Sequence, residues 1–150
     1  MAAIVTESLG KAYGGHGTPI HRTPEVRALS DLSIEVREAE IFGFLGPNGA
    51  GKSTTIRLLL GYLHPSEGRA EVLGYDIVDH PEEIRRRTGY LPGGIAFYDT
   101  MTGAEQLAYL SRLDGRPAVL RDELVERLEL SRRDLGRQIR DYSRGMRQKV

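Results

Sequence analysis

Gly46-Pro47-Asn48-Gly49-Ala50-Gly51-Lys52-Ser53 is where residue types and spacing in this chain could do chemistry, because the stretch fits the G-x-x-x-x-G-K-[ST] phosphate loop. Glycines at 46, 49 and 51 allow positive φ and bring backbone N–H groups against an anionic oligophosphate with no Cβ in the way, which makes the loop an anion nest. Lys52 supplies a mobile point charge for β- and γ-phosphates, and Ser53 offers a hydroxyl to a Mg²⁺ bridging them. Both residues open the next helix. Its unpaired first amides and partial positive charge, roughly half a unit, favour the same phosphates.

Such a loop needs a strand before it and a helix after it. Ile41-Phe42-Gly43-Phe44-Leu45 is nearly unbroken apolar sequence and predicts a strand covered on both faces in a parallel sheet. Beyond the loop, Ile56, Leu59 and Leu60 share one helical face, and Gly61 followed by Pro65 ends the run. Upstream, Ile4 to Leu9 reads as a strand and Leu32 to Val36 alternates apolar with polar, so the chain opens with a small β layer. The polar stretch from Gly14 to Glu25 reads as a loop, and its His16 and His21 lack companion ligands at metal spacing. Downstream, Arg69 to Leu73 predicts a strand, Pro81 to Arg87 a short helix opened by proline, and Gly89 to Leu91 a short strand ending at Pro92-Gly93-Gly94.

From Thr102 onward the pattern turns helical. Thr102 and Glu105 form a capping box ahead of the apolar stripe Ala104, Leu107 and Ala108. Leu120, Leu124 and Leu128 then repeat every four residues, with Glu123 and Arg127 spaced for an ion pair. Ser143 is a good N-cap for a third helix that is still running at Val150.

Bulk composition narrows the function classes. The 150 residues can bury one core, and Lys+Arg 21 against Asp+Glu 21 leaves no net charge, so strong nonspecific nucleic-acid binding is not suggested. Arg85-Arg86-Arg87 reads as a solvated helix end. The absence of Cys excludes disulfides and thiolate zinc sites. No stretch approaches the ~20 apolar residues of a membrane span, and no basic-then-apolar leader opens the chain, so the expectation is a cytosolic protein.

The wording of two motifs goes further. Gly46 to Thr54, GPNGAGKST, resembles the phosphate loop of ATP-binding cassette (ABC) transporter ATPase domains, and Tyr142-Ser143-Arg144-Gly145-Met146 resembles their signature motif. The order of regions matches as well, and the wording is most similar to bacterial drug-exporter and ABC-2-like members. The resemblance implies an α/β fold with a P-loop NTPase core, in which a β-rich N-terminal layer and a partial parallel sheet are joined to a helical subdomain. It divides the chain into residues 1–88 for the β layer and ATP-binding core, 89–99 for a Q-loop-like segment, and 100–150 for the helical subdomain.

The implied ligands are ATP and Mg²⁺, with Gly46, Asn48, Gly49, Gly51, Lys52, Ser53 and Thr54 at the phosphates and Ser53 on the metal. Tyr13 matches the family's adenine-stacking aromatic, a contact of roughly 1–3 kcal/mol where a base lies flat on a ring. Ser143 and Gly145 match the signature residues that face the γ-phosphate held by an opposite subunit. The implied partners are a second ATP-binding subunit and a transmembrane permease, with no nucleic acid, at the cytoplasmic face of the membrane.

Three departures qualify the match. Arg144 and Met146 stand where the signature usually has Gly and Gln. Gly93 occupies the Q-loop position of a glutamine that helps hold Mg²⁺ and the attacking water, and glycine has no side chain for either task. No apolar strand ending in Asp-Glu follows the signature, and Asp122-Glu123 lies in an amphipathic helix and reads as solvated surface. The expectation is therefore an N-terminal fragment of a longer ATPase domain, with no catalytic residue present and negligible turnover. A noncatalytic nucleotide-binding or regulatory fragment is the alternative.

Overall fold

Strand β1 (Ala2–Tyr13) is the spine of the first half of the chain: β2 (Val26–Arg37) pairs with one edge and β3 (Glu67–Val72) with the other, and β4 (Tyr75–Asp76) closes the order β2-β1-β3-β4. The computed structural model describes residues 1–15, 24–92, 97–115 and 118–150, which fall into two compact units, Met1–Tyr90 and Leu91–Val150. All three strand pairings are antiparallel. Thr6 sits opposite both Ile34 and Ala70, and its buried hydroxyl donates to the Leu32 carbonyl at 2.8 Å while accepting from the Ile34 amide at 3.0 Å. A polar side chain can be buried there because both its hydrogen-bonding roles are filled.

The core of this unit gathers Leu9, Ala70 and Val72 from the sheet with Leu58 of α1 (Lys52–Leu59), Ile77, and Ile84 of α2 (Pro81–Arg87). Helix α1 keeps Leu59 and Leu60 of the predicted Ile56, Leu59 and Leu60 face against the core and departs from that expectation at Ile56. Thr55, Leu58 and Leu60 are buried and Ile56 is exposed, because the Thr55 hydroxyl turns inward to donate to the Gly51 carbonyl at 3.0 Å. Helix α2 starts at Pro81 as expected, with Glu82 and Glu83 in its first turn and Arg85 to Arg87 in its last, the arrangement that suits the helix dipole. The arginine triplet is tied down locally. Arg87 pairs with Glu83 and lies 4.8 Å from the Tyr75 ring centroid, and Arg85 donates to the Leu60 carbonyl at 3.1 Å.

Two expected strands are not formed. Ile41 to Leu45 has no ladder partner among the described residues, and Ile41 is fully exposed and Leu45 90% exposed. A strand covered on both faces needs a hydrogen-bonded neighbour, and no described segment supplies one, so the apolar run stays unpaired. The partial parallel sheet is absent among the described residues for the same reason. Gly89 to Leu91 is likewise irregular.

The second unit is built from α3 (Gly103–Asp114), α4 (Arg121–Arg127), α5 (Arg132–Leu135), a 3₁₀ turn at Ile139–Asp141 and α6 (Arg144–Lys149). The Thr102 and Glu105 capping box forms in both directions. Of the expected α3 stripe, Leu107 and Ala108 are half-buried, but Ala104 is exposed and Gln106 takes the buried position, its side-chain carbonyl accepting from the Tyr98 amide at 3.2 Å. Glu123 and Arg127 pair at 2.8 Å as their spacing predicts, whereas Leu120, Leu124 and Leu128 stay exposed. Leu130, Ile139 and Tyr142 are the buried apolar residues here.

The α1 face can be checked by urea unfolding. Leu58→Ala removes a fully buried side chain and is expected to cost about 2–5 kcal/mol. Ile56→Ala, on the exposed face, is expected to cost less than about 1 kcal/mol. Equal losses would contradict this packing.

Candidate phosphate-binding site

The loop between residues 46 and 53 is shaped by two left-handed residues. Gly49 has φ +85° and Gly51, the N-cap of α1, φ +82°. Gly46 is not in this region, a departure from the sequence expectation; what its missing Cβ allows is close approach, since a Cβ there would stand 3.2 Å from that of Ala50. Gly51 is the tighter position. A Cβ on it would lie 2.6 Å from the Ala28 carbonyl oxygen, a contact with backbone that no rotamer relieves. Beside Gly49 there is nothing within 4 Å, so the loop is open on that side.

Lys52 folds back over the loop, its Nζ donating to the carbonyls of Gly46 at 2.6 Å and Pro47 at 2.7 Å. The Ala50 amide closes a turn onto the Pro47 carbonyl at 3.2 Å. Among the described residues, Thr55 is the first α1 residue whose amide finds a backbone acceptor, Gly51 at 2.8 Å. The amides of Lys52, Ser53 and Thr54 are the orphan donors that every helix start leaves. A cavity of about 310 Å³ opens here, lined by Ala28, Asn48, Gly49, Gly51, Lys52, Ser53 and Thr54. Donors, an ammonium and a hydroxyl line one concavity, so this residue set fits an oligophosphate with a hard cation on the Ser53 hydroxyl.

Ala28 is the wall residue that the sequence did not reveal. The β1 and β2 register runs from Lys11 opposite Leu29 to Ala12 opposite Arg27, which leaves Ala28 as the extra residue of a β-bulge. That kink carries its carbonyl to Gly51. No residue-type signal marks the bulge, because it exists only in the pairing. Tyr13 ends β1 opposite Val26, two residues along β2 from Ala28, and is 40% exposed. The sheet thus sets an aromatic ring at the end of the strand pair that forms the cavity wall.

Residues 29–150 match the family model described as ABC transporter. The chain belongs to the ABC transporter family. It is 42% identical over 132 residues to the ABC transporter ATP-binding protein NatA of Bacillus subtilis, taking in 83% of this chain and 52% of that protein. It is 37% identical over 153 residues to the daunorubicin/doxorubicin resistance ATP-binding protein DrrA of Streptomyces peucetius, taking in 99% of this chain and 43% of that one. The chain therefore spans about half the length of these relatives. A dimeric ATP-binding cassette solved with ADP and Pi superposes with a TM-score of 0.74 at 18% identity, over 97% of this chain and 66% of that one. The fold is that of ABC nucleotide-binding domains, in the α/β class of P-loop NTPases.

Residues 142–146, which resemble the ABC signature motif, lie in the second unit. Ser143 caps α6, its hydroxyl accepting from the Met146 amide at 3.2 Å, and Ser143, Arg144 and Gly145 are exposed. Tyr142, just before the cap, is buried and donates to the Asp134 carbonyl at 2.6 Å; burial first, then the nearby Asp134 carboxylate, holds its phenol above the usual tyrosine value. A Cβ at Gly103 would stand 2.1 Å from the Tyr142 hydroxyl, so glycine at that position makes room for the ring that anchors the motif. Gly93, His16 and His21 lie outside the described residues.

Thermal unfolding checks the contact between loop and sheet. Gly51→Ala sets a Cβ against the Ala28 carbonyl at a positive φ and is expected to lower Tm by more than Gly49→Ala, which faces open space at a similar φ. A larger loss at Gly49 would contradict the tight approach.

Proposed function

We propose that these residues form the ATP-binding part of an ABC-type exporter ATPase, with the 46–54 loop holding the phosphates of ATP. The observation that carries this reading is the Lys52 ammonium resting on two loop carbonyls beside the orphan amides of α1. An arriving triphosphate would compete with those neutral carbonyls for the ammonium, and a charged acceptor is the stronger partner. Gly46, Asn48, Gly49, Gly51, Lys52, Ser53 and Thr54 contact the phosphates, and the Ser53 hydroxyl is the ligand this loop offers to Mg²⁺. The metal, once bound, neutralises charge on the phosphate oxygens. Tyr13 stacks on the adenine.

Ser143 and Gly145 present the orphan amides of α6 to the nucleotide of a second ATP-binding subunit. The dimeric state named for one solved neighbour supports that arrangement. The transport and resistance names of NatA and DrrA support coupling to a transmembrane permease at the cytoplasmic face of a membrane. No helix among the described residues is long and apolar enough to cross a membrane. No nucleic-acid role is proposed, in keeping with the balanced charge.

Residues 1–150 are proposed to bind ATP without efficient turnover. Asp122 and Glu123 lie on α4, where Glu123 is engaged with Arg127, and that helix buries none of its side chains. Neither carboxylate is offered as the group that polarises an attacking water. This binding-only reading also covers a noncatalytic or regulatory role.

Titration with a fluorescent ATP analogue tests the assignment. Lys52→Ala is expected to weaken binding at least about tenfold, the scale of one charge-assisted contact to phosphate. Equal binding by both proteins would remove the proposed role of the loop. Phosphate release by residues 1–150 is expected at background, and robust Lys52-dependent hydrolysis would overturn the binding-only part.

A further inference from the structure

One cation in the first unit, Lys11, stands against the proposed base platform at Tyr13. Lys11 and Tyr13 are two residues apart on β1, the spacing that sets side chains on one face of a strand, and Lys11 Nζ lies 5.4 Å from the Tyr13 ring centroid. The ammonium is anchored as well, donating to the His64 carbonyl at 2.7 Å.

The segment around His64 is itself sewn to the end of β1. The Ser66 amide donates to the Gly10 carbonyl at 2.9 Å, and its hydroxyl accepts from the Ala12 amide at 3.1 Å and donates to the Ala12 carbonyl at 3.3 Å. Gly10, Lys11 and Ala12 are therefore each tied to residues 64–66. Lys11 is held at both ends, by the strand at its Cα and by a carbonyl at its Nζ.

We infer that Lys11 is a positioning residue for the nucleotide base, acting through Tyr13 by pinning the ring with a cation against its π system. The inference rests on the proposed stacking of adenine on Tyr13. A cation near a ring is attracted by the negative potential of the π face. It draws electron density toward itself, which leaves the remaining exposed ring surface a better partner for an electron-rich purine, and it narrows the ring's rotamer freedom before the base arrives. The contacts of the Lys11 ammonium are the Tyr13 ring and the His64 carbonyl, so its role is directed at the base, and the phosphates fall to the loop at 46–54. The reading assigns Lys11 a part in selecting nucleotides over bare polyphosphate.

Calorimetric titration with ATP and, separately, with inorganic tripolyphosphate distinguishes this from a purely structural tether. Lys11→Met keeps the aliphatic stem and removes the charge; it is expected to weaken ATP about twofold to fivefold and to leave tripolyphosphate unchanged. Lys11→Arg, which keeps a cation for the ring, is expected to recover most of the ATP affinity. In a Tyr13→Ala background, Lys11→Met is expected to cost nothing further. Equal weakening of ATP and tripolyphosphate by Lys11→Met, or an additive effect in the Tyr13→Ala background, would overturn the inference. A Lys52-dependent ATP affinity that Lys11→Met leaves untouched would overturn it alone. ATP affinity indifferent to both Lys52 and Tyr13 would remove the nucleotide assignment, and this inference with it.

Discussion

Two left-handed turns, at Gly49 and Gly51, are the constraint on which the candidate site depends. They carry the chain into the start of α1 beside a cavity lined by Asn48, Gly49, Gly51, Lys52, Ser53 and Thr54. Any L side chain at those φ values is strained, and at Gly51 it would also strike the Ala28 carbonyl. The site is electrostatic before it is anything else: the Lys52 ammonium donates to the Gly46 and Pro47 carbonyls and ties the loop together with its own charge. Preorganisation of this kind lowers the cost of ordering donors when a ligand arrives.

The sheet is what that loop packs against. The bulge at Ala28 lets β2 touch Gly51, and the same strand pair ends at Tyr13, so the 46–53 loop and the aromatic ring share one support. Helix α1 is fixed from beneath by Leu58 in the core and from its own start by Thr55, which bonds Gly51 through both amide and hydroxyl. In the second unit a different device does similar work. Tyr142, buried against Gly103 and bonded to the Asp134 carbonyl, anchors the chain immediately before the Ser143 cap.

What could be read from the sequence is what is local. The phosphate loop is one unbroken run from Gly46 to Ser53, and the Thr102 and Glu105 box, the Ser143 cap and Pro81 at a helix start each depend on residues within four positions of each other. The Ser131 to Asp134 box obeys the same rule and was equally open to reading. What was not legible is pairwise across the chain. Antiparallel registers, the Ala28 bulge and the Lys11 contact with His64 require knowing which segments meet. The apolar run at 41–45 shows the limit in reverse: its composition asks for burial, but burial needs a neighbouring strand, and no described segment provides it. The leucines at 120, 124 and 128 repeat the lesson on a helix, since their spacing defines a face without supplying anything to cover it.

The most direct measurement of the central claim follows backbone amide signals by NMR as tripolyphosphate is added to the 150-residue chain. The account predicts that the amides of Gly49, Gly51, Lys52, Ser53 and Thr54 shift together along one saturation curve, and that Lys52→Met flattens it. Shifts scattered over the surface, or a loop that stays silent while the anion binds elsewhere, would contradict it.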